Sequence, residues 1–188
     1  MLCACGGADA GEPLISPPVG CDNDIRTCMD QRTTPPPTVI DPAKKYSATV
    51  HTNRGSFVIA LVDPKIAPQT VNNFVYLSQN HFYDGLTFHR VVAGFVVQGG
   101  DPRGDGTGGP AYKLPDENNP SKWPRGTAGM ASSAAGVSGS QFFITLGAAP
   151  FLETSGVYNH FGEVTSGMEV IDSIKVGDKM TAIDITAS

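Results

Sequence analysis

Arg90 is the residue out of place in this chain. It interrupts the run Phe88-His89-Arg90-Val91-Val92-Ala93-Gly94-Phe95-Val96-Val97-Gln98-Gly99-Gly100-Asp101, which would otherwise be plain core strand. A lone arginine in such a run ordinarily marks a strand edge turned to water. Here it has company: Gln98 and Gln141 are polar at comparable apolar strand sites, and Phe95, Phe143 and Leu152 supply a candidate apolar patch beside them. An apolar floor with a few convergent polar groups is how a ligand site is composed. An arginine there offers a permanent charge and a planar fork of donors.

Other chemistries find less support. Gly104-Asp-Gly-Thr-Gly-Gly109 satisfies the spacing of a dinucleotide loop, but Pro110 and Pro115 leave no room for the helix that must follow. A phosphate loop fails because Lys113 lacks the required glycine before it. Asp101, Asp105, Asp116 and Glu117 do not have calcium-loop spacing and are read as solvated loop carboxylates. Ser138 and Ser140 lack the Gly-x-Ser-x-Gly elbow of a hydrolase. No metal site and no cofactor are expected.

The elements that would position Arg90 are short strands. Tyr46 to Thr52 and Phe57 to Val62 flank Asn53-Arg54-Gly55, a hairpin signal. Asp63-Pro64 ends the second strand, and an amphipathic helix runs from about Ala67 to Asn80, with Pro68 in its first turn and Val71, Phe74, Val75 and Ser78 on one face. Thr87 to Gln98 reads as two short strands or one bent at Gly94. Residues 99–127 read as almost all loop. Strand character returns at Gln141 to Leu146, near Tyr158 to Val164, and at Ala182 to Thr186, with a short helix at Met168 to Ile174.

Composition agrees, since 22 glycines and 15 prolines among 188 residues favour many short strands and loops. The formal net charge of −5 argues against nucleic-acid binding, and no apolar run is long enough to span a membrane. Residues 1–42 differ from the rest: they hold all four cysteines, seven prolines, and two basic residues against six acidic ones. This stretch reads as a disordered, proline-rich tail or stalk, with residues 43–188 as one domain. Cys5, after Leu2 and a small residue, has the look of a bacterial lipoprotein acylation site, although the apolar run of a signal is missing. Cys21 and Cys28 flank a short loop suited to a local disulfide, with a pair of exposed thiols as the alternative. The expected location is therefore extracytoplasmic, secreted or lipid-tethered, with a cytoplasmic location as the alternative.

Taken in order, the Arg90 segment, Gly106-Thr-Gly-Gly109, Gly129-Met-Ala131, Gly139-Ser-Gln-Phe-Phe-Ile144 and His160-Phe-Gly-Glu-Val164 resemble the cyclophilins over about Tyr46 to Thr186. The resemblance implies an all-β dominated fold: a closed eight-stranded antiparallel barrel capped by two α-helices. It implies cofactor-free isomerisation of X-Pro peptide bonds in proline-containing polypeptides, here in folding of secreted or envelope proteins, by a monomer. By position, Arg90 resembles the catalytic arginine and Phe95, Val96, Phe143 and Leu152 the proline pocket. Gln98 and Gln141 resemble the residues that hold Arg90 and the substrate backbone. Ala131, Ser132 and Ser133 fall where the residue before proline binds, with Gly106 across the groove. Val96, Ser132, Phe151 and Tyr158 depart from the residues common in the family (methionine, asparagine, tryptophan and histidine). Those departures bear on sequence preference and on affinity for the drug cyclosporin, which the family's tryptophan at the position of Phe151 helps to hold. The alternative from another class is an idle barrel that only binds proline segments; retention of Arg90 favours the enzyme.

Overall fold

The computed structural model describes Arg26, Met29 and residues 31–188. Cys5, Cys21 and Cys28 lie outside the described residues. Among the described residues the strands are β1 (Tyr46–Thr52), β2 (Gly55–Leu61), β3 (Arg90–Val92), β4 (Val96–Gly99), β5 (Lys113–Leu114), β6 (Thr127–Ser133), β7 (Gly136–Thr145), β8 (His160–Ser166) and β9 (Met180–Ala187). The helices are α1 (Pro68–Gln79), α2 (Met168–Ser173) and a 3₁₀ turn at Pro150–Glu153.

All the ladders are antiparallel, in the order β3-β4-β7-β6-β8-β2-β1-β9, with β5 added to β7. The expected closed barrel does not form: the sheet is an open half-barrel. Its end strands β3 and β9 share no ladder; an isolated bridge between Thr87 and Lys179 and backbone bonds such as Phe88 N–H to Asp178 O (2.8 Å) join the two margins instead. Beyond the three residues of β3 this margin is irregular chain, so it meets β9 through single bonds rather than a ladder.

Alternation along the strands divides the side chains into two clusters. The main core holds Phe74, Tyr83, Phe142 and Phe161 in mutual contact, with Phe74 and Phe161 centroids 4.7 Å apart. On the opposite face Val96, Trp123, Phe143, Ala149 and Leu152 form a second, smaller cluster.

Helix α1 begins at Pro68, whose missing N–H is harmless there. It has no side-chain cap of its own. Glu117 supplies one from a distant loop: its carboxylate accepts from the Gln69 N–H (3.0 Å), the Thr70 N–H (2.8 Å) and the Thr70 hydroxyl (2.7 Å). The reading of Glu117 as a solvated carboxylate is thereby corrected.

The nine residues from Thr70 to Ser78 are all buried, so both faces of α1 are covered. An amphipathic helix on one sheet would leave its outer face wet. The cover includes the chain before β1. Met29 is fully buried in the main core, Pro36 and Ile40 are buried, and the Asn72 amide grips this segment by accepting from Val39 N–H (2.7 Å) and donating to Pro37 O (2.9 Å). Arg26 donates to Phe82 O and Asp84 O. The packed chain thus begins before the boundary expected at Pro42. Composition hid this, because a few apolar residues spaced among prolines need no periodicity to bury themselves.

Candidate active site

Register builds the site. In β3, β4, β7 and β6 the directly opposed residues are Arg90 with Gln98, Gln98 with Phe143, and Phe143 with Gly129. Four neighbouring strands therefore place a guanidinium, an amide, an aromatic ring and a glycine in one row on the face away from the main core. Gly129 has a steric reason to be there: a Cβ would lie 2.6 Å from the Trp123 ring and 2.8 Å from Phe143. The missing side chain lets Trp123 slide beneath Phe143, their centroids 5.4 Å apart.

Above that floor is an open pocket of about 140 Å³, lined by Arg90, Phe95, Val96, Gln98, Ala131, Ser132, Phe143, Phe151, Leu152 and Tyr158. Phe143, Leu152 and Val96 are buried, whereas Phe151 stands 64% exposed on the rim against Phe95, with ring centroids 6.4 Å apart. Tyr158 packs edge-on to Phe143 at 5.8 Å. A shallow, mostly apolar hollow of this size suits one small ring rather than an extended ligand.

Polar groups line one side only. Arg90 is exposed, its carbon Cζ 5.7 Å from the Phe95 ring centroid. Its Nη1 donates to Gln98 Oε1 (3.2 Å), Gln98 Nε2 donates to Gln141 Oε1 (3.1 Å), and Gln141 Nε2 donates to the carbonyls of Gly106 (3.1 Å) and Gly108 (2.8 Å). Beyond this relay a second hollow of about 370 Å³ is lined by Gly106, Ser133 and Gln141 and shares Gln98, Ala131 and Ser132 with the first. A bulge in β6 between Met130 and Ser132 displaces Ala131 from the regular ladder, at the boundary of the two. All the pocket and groove residues expected from the sequence thus gather around two adjoining hollows.

Two residues escaped the sequence reading. Trp123, the chain's one tryptophan, lies in a stretch read as plain loop yet is 1% exposed and forms the floor under Phe143. The signal was its size, since a large apolar residue in a polar loop seeks cover. Asp101, read as solvated, is 1% exposed instead.

Burial lowers the pKa of His89, beside Arg90, more than the nearby Asp101 raises it. Among the described residues no group of three or more His, Cys, Asp or Glu side chains could hold a metal ion, and no helix is long and apolar enough to cross a membrane.

The comparisons agree with this geometry. Residues 47–186 match the family model described as "Cyclophilin type peptidyl-prolyl cis-trans isomerase/CLD". A peptidyl-prolyl cis-trans isomerase of Helicobacter pylori is 45% identical over 150 residues, 78% of this chain and 90% of that one. Peptidyl-prolyl cis-trans isomerase B of Bacillus subtilis is 48% identical over 124 residues, 65% of this chain and 85% of that one. The crystal structure of a cyclophilin type isomerase from Cryptosporidium parvum matches with a TM-score of 0.68 at 32% identity, covering 77% of this chain and 99% of that one. A second structure of that protein, at TM-score 0.66 and 30% identity, was determined in the presence of the dipeptide Ala-Pro. With relatives named for catalysis, the idle-binder alternative is not favoured. The chain belongs to the cyclophilin-type peptidyl-prolyl cis-trans isomerases and is an enzyme of that activity.

Proposed function

We propose that Arg90 is the catalytic residue of this isomerase, acting on X-Pro bonds whose proline ring sits against Phe143, Leu152, Phe95 and Val96. The barrier to be lowered is amide resonance, roughly 18–20 kcal/mol. On twisting, the proline nitrogen leaves conjugation and its lone pair becomes a better acceptor. A guanidinium donating to it therefore binds the twisted amide more strongly than the planar one, and only such differential binding accelerates the step. Burial of the ring on an apolar floor holds the bond beside Arg90 and favours the less polar twisted form. Proton transfer and covalent intermediates have no part in this step.

The observation that carries the reading is the in-register row, which sets the one guanidinium lining the pocket directly beside its aromatic wall, held by Gln98 on one nitrogen. Ala131, Ser132, Ser133 and Gly106 then receive the residues before proline, while Phe151 and Tyr158 shape the rim. The test is a protease-coupled assay on an X-Pro-Phe peptide: Arg90→Ala should lose most turnover while the peptide still binds, and near-normal turnover would reject the role.

The clients we infer are extracytoplasmic polypeptides, handled by a monomer. Support comes from the cysteine-bearing, acidic leader, with Cys21 and Cys28 pairing and Cys5 as a lipid tether. A mass measurement on protein from its native cell tests this, since an unmodified, fully reduced chain would contradict it.

A further inference from the structure

We propose that Asp101 is a positioning residue for catalysis, acting on Arg90 through the loop that ends the glutamine relay; the inference rests on the role given to Arg90 above. Asp101 follows Gly99-Gly100 at the end of β4 and is 1% exposed. Among the described residues no Lys, Arg or His forms an ion pair with it. Its carboxylate is instead spent on loop backbone: Oδ1 accepts from Arg103 N–H (2.8 Å) and Oδ2 from Gly106 N–H (2.5 Å), while its own carbonyl accepts from Gly104 N–H (3.2 Å). A buried carboxylate is costly unless its oxygens are bonded, so the loop must keep this shape for Asp101 to stay satisfied. Gly108 is fitted to it as well, since a Cβ there would run into Asp101 Oδ1 and lie 2.8 Å from Arg103 Cγ.

The loop so fixed presents two carbonyls, Gly106 O and Gly108 O, to the Gln141 amide. Donor and acceptor inventory then sets the direction of everything beyond. Carbonyls only accept, so Gln141 turns its Nε2 to them and its Oε1 to Gln98; Gln98 must answer with Nε2 and so offers Oε1 to Arg90, which only donates. Every amide in the relay is oriented from both ends. If the two carbonyls move, Gln141 is free to flip, Gln98 can follow, and Arg90 loses the acceptor that aims it. The proline pocket shares no wall with this loop, because neither Asp101 nor Gly106 nor Gly108 lines it. The loop does line the second hollow, where Gly106 faces the residue before proline, so KM rises as well, and it is the fall in kcat at saturation that reports the aim of Arg90.

The experiment compares wild type, Asp101→Asn, Gly108→Ala and Arg90→Lys by NMR exchange on an Ala-Pro peptide across a concentration series, with melting curves and the arginine Nε–Hε spectrum of each. Asp101→Asn keeps the shape but sets an NH₂ against one loop N–H; Gly108→Ala keeps the carboxylate and displaces it. Misplacing a catalytic group by about 1 Å can cost about 100-fold. For an aim lost two residues away, a fall in kcat at saturation of about tenfold is expected in both, over and above any rise in KM. The Nε–Hε peak that vanishes in Arg90→Lys should shift or broaden in both variants while the fold persists at assay temperature. Unchanged kcat in the folded variants overturns the proposal, as does a loss matched by the unfolded fraction or confined to KM. If Arg90→Lys itself retains turnover, the role of Arg90 fails first and the proposal falls with it; if Arg90→Lys is inactive and both loop variants are normal, only Asp101 is wrong.

Discussion

Met29 offers a sharp test of where the folded unit begins. It is fully buried in the main core, although composition alone places it in a solvated leader. Met29→Ala removes buried methylenes and the thioether with no solvent path to refill the space, and methionine-to-alanine changes in cores cost about 2–5 kcal/mol. For a chain of this size each kcal/mol lowers Tm by about 2–4 °C, so a fall of at least about 4 °C is expected in a calorimetric or circular-dichroism melt. Asn72→Ala, which releases Val39 and Pro37 while leaving the core side chains in place, should lower Tm by a smaller amount. Peptide turnover well below the transition should be unchanged in Met29→Ala, since Met29 lines neither hollow. A Tm within about 1 °C of wild type would refute the reasoning and return the boundary to Pro42.

Phe143→Ala should raise KM and lower kcat/KM together, because the ring is apolar wall to ground and transition states alike, and should also cost about 3–5 kcal/mol of stability; titration of Trp123 fluorescence with an Ala-Pro peptide checks the affinity. Cyclosporin should bind weakly, since Phe151 has no indole N–H to donate, and Phe151→Trp should tighten it in an inhibition assay. Arg54 Nε first, then Asn53 and the Lys175 N–H, hold the Asp178 carboxylate far below its usual range. Because the folded pKa is depressed, this cluster stabilises the fold fully above the unfolded value near 3.9 and loses that contribution as pH falls toward the folded one. Melts from pH 7 to 2 should show a shallower acid slope, and a lower Tm at pH 7, in Asp178→Asn.

What the sequence revealed, and what it withheld, follows from the range of the interactions. The β1–β2 hairpin and α1 were legible because a turn glycine and a 3.6-residue apolar repeat are local signals. Arg90, Gln98 and Phe143 stood out as residues of the wrong polarity, or the right ring, at strand positions. Their alignment into one row was not legible, because register between β3, β4, β7 and β6 is set by non-local pairing. Strand β6 was hidden by small residues: Gly129, Ala131 and Ser132 have poor strand propensity, yet Gly129 is required by Trp123. The burial of Asp101 and the capping by Glu117 depend on loops folding back over 5 and 48 residues respectively, and no pattern in composition marks such a return. A closed barrel is the expectation raised both by many short strands with two helices and by the resemblance, whereas β3 and β9 share no ladder and the sheet stays open.

The central claim is that the Arg90 guanidinium stabilises the twisted amide. It is tested most directly by NMR exchange on an Ala-Pro peptide held at saturation by Arg90→Lys. Lysine keeps a positive charge but loses the planar fork that engages Gln98 and that, on the proposed role, would donate to the proline nitrogen. The account predicts peptide affinity close to wild type, with the bound-state exchange rate reduced by at least about tenfold, equivalent to about 1.4 kcal/mol of transition-state stabilisation. A bound-state rate equal to that of wild type would contradict it.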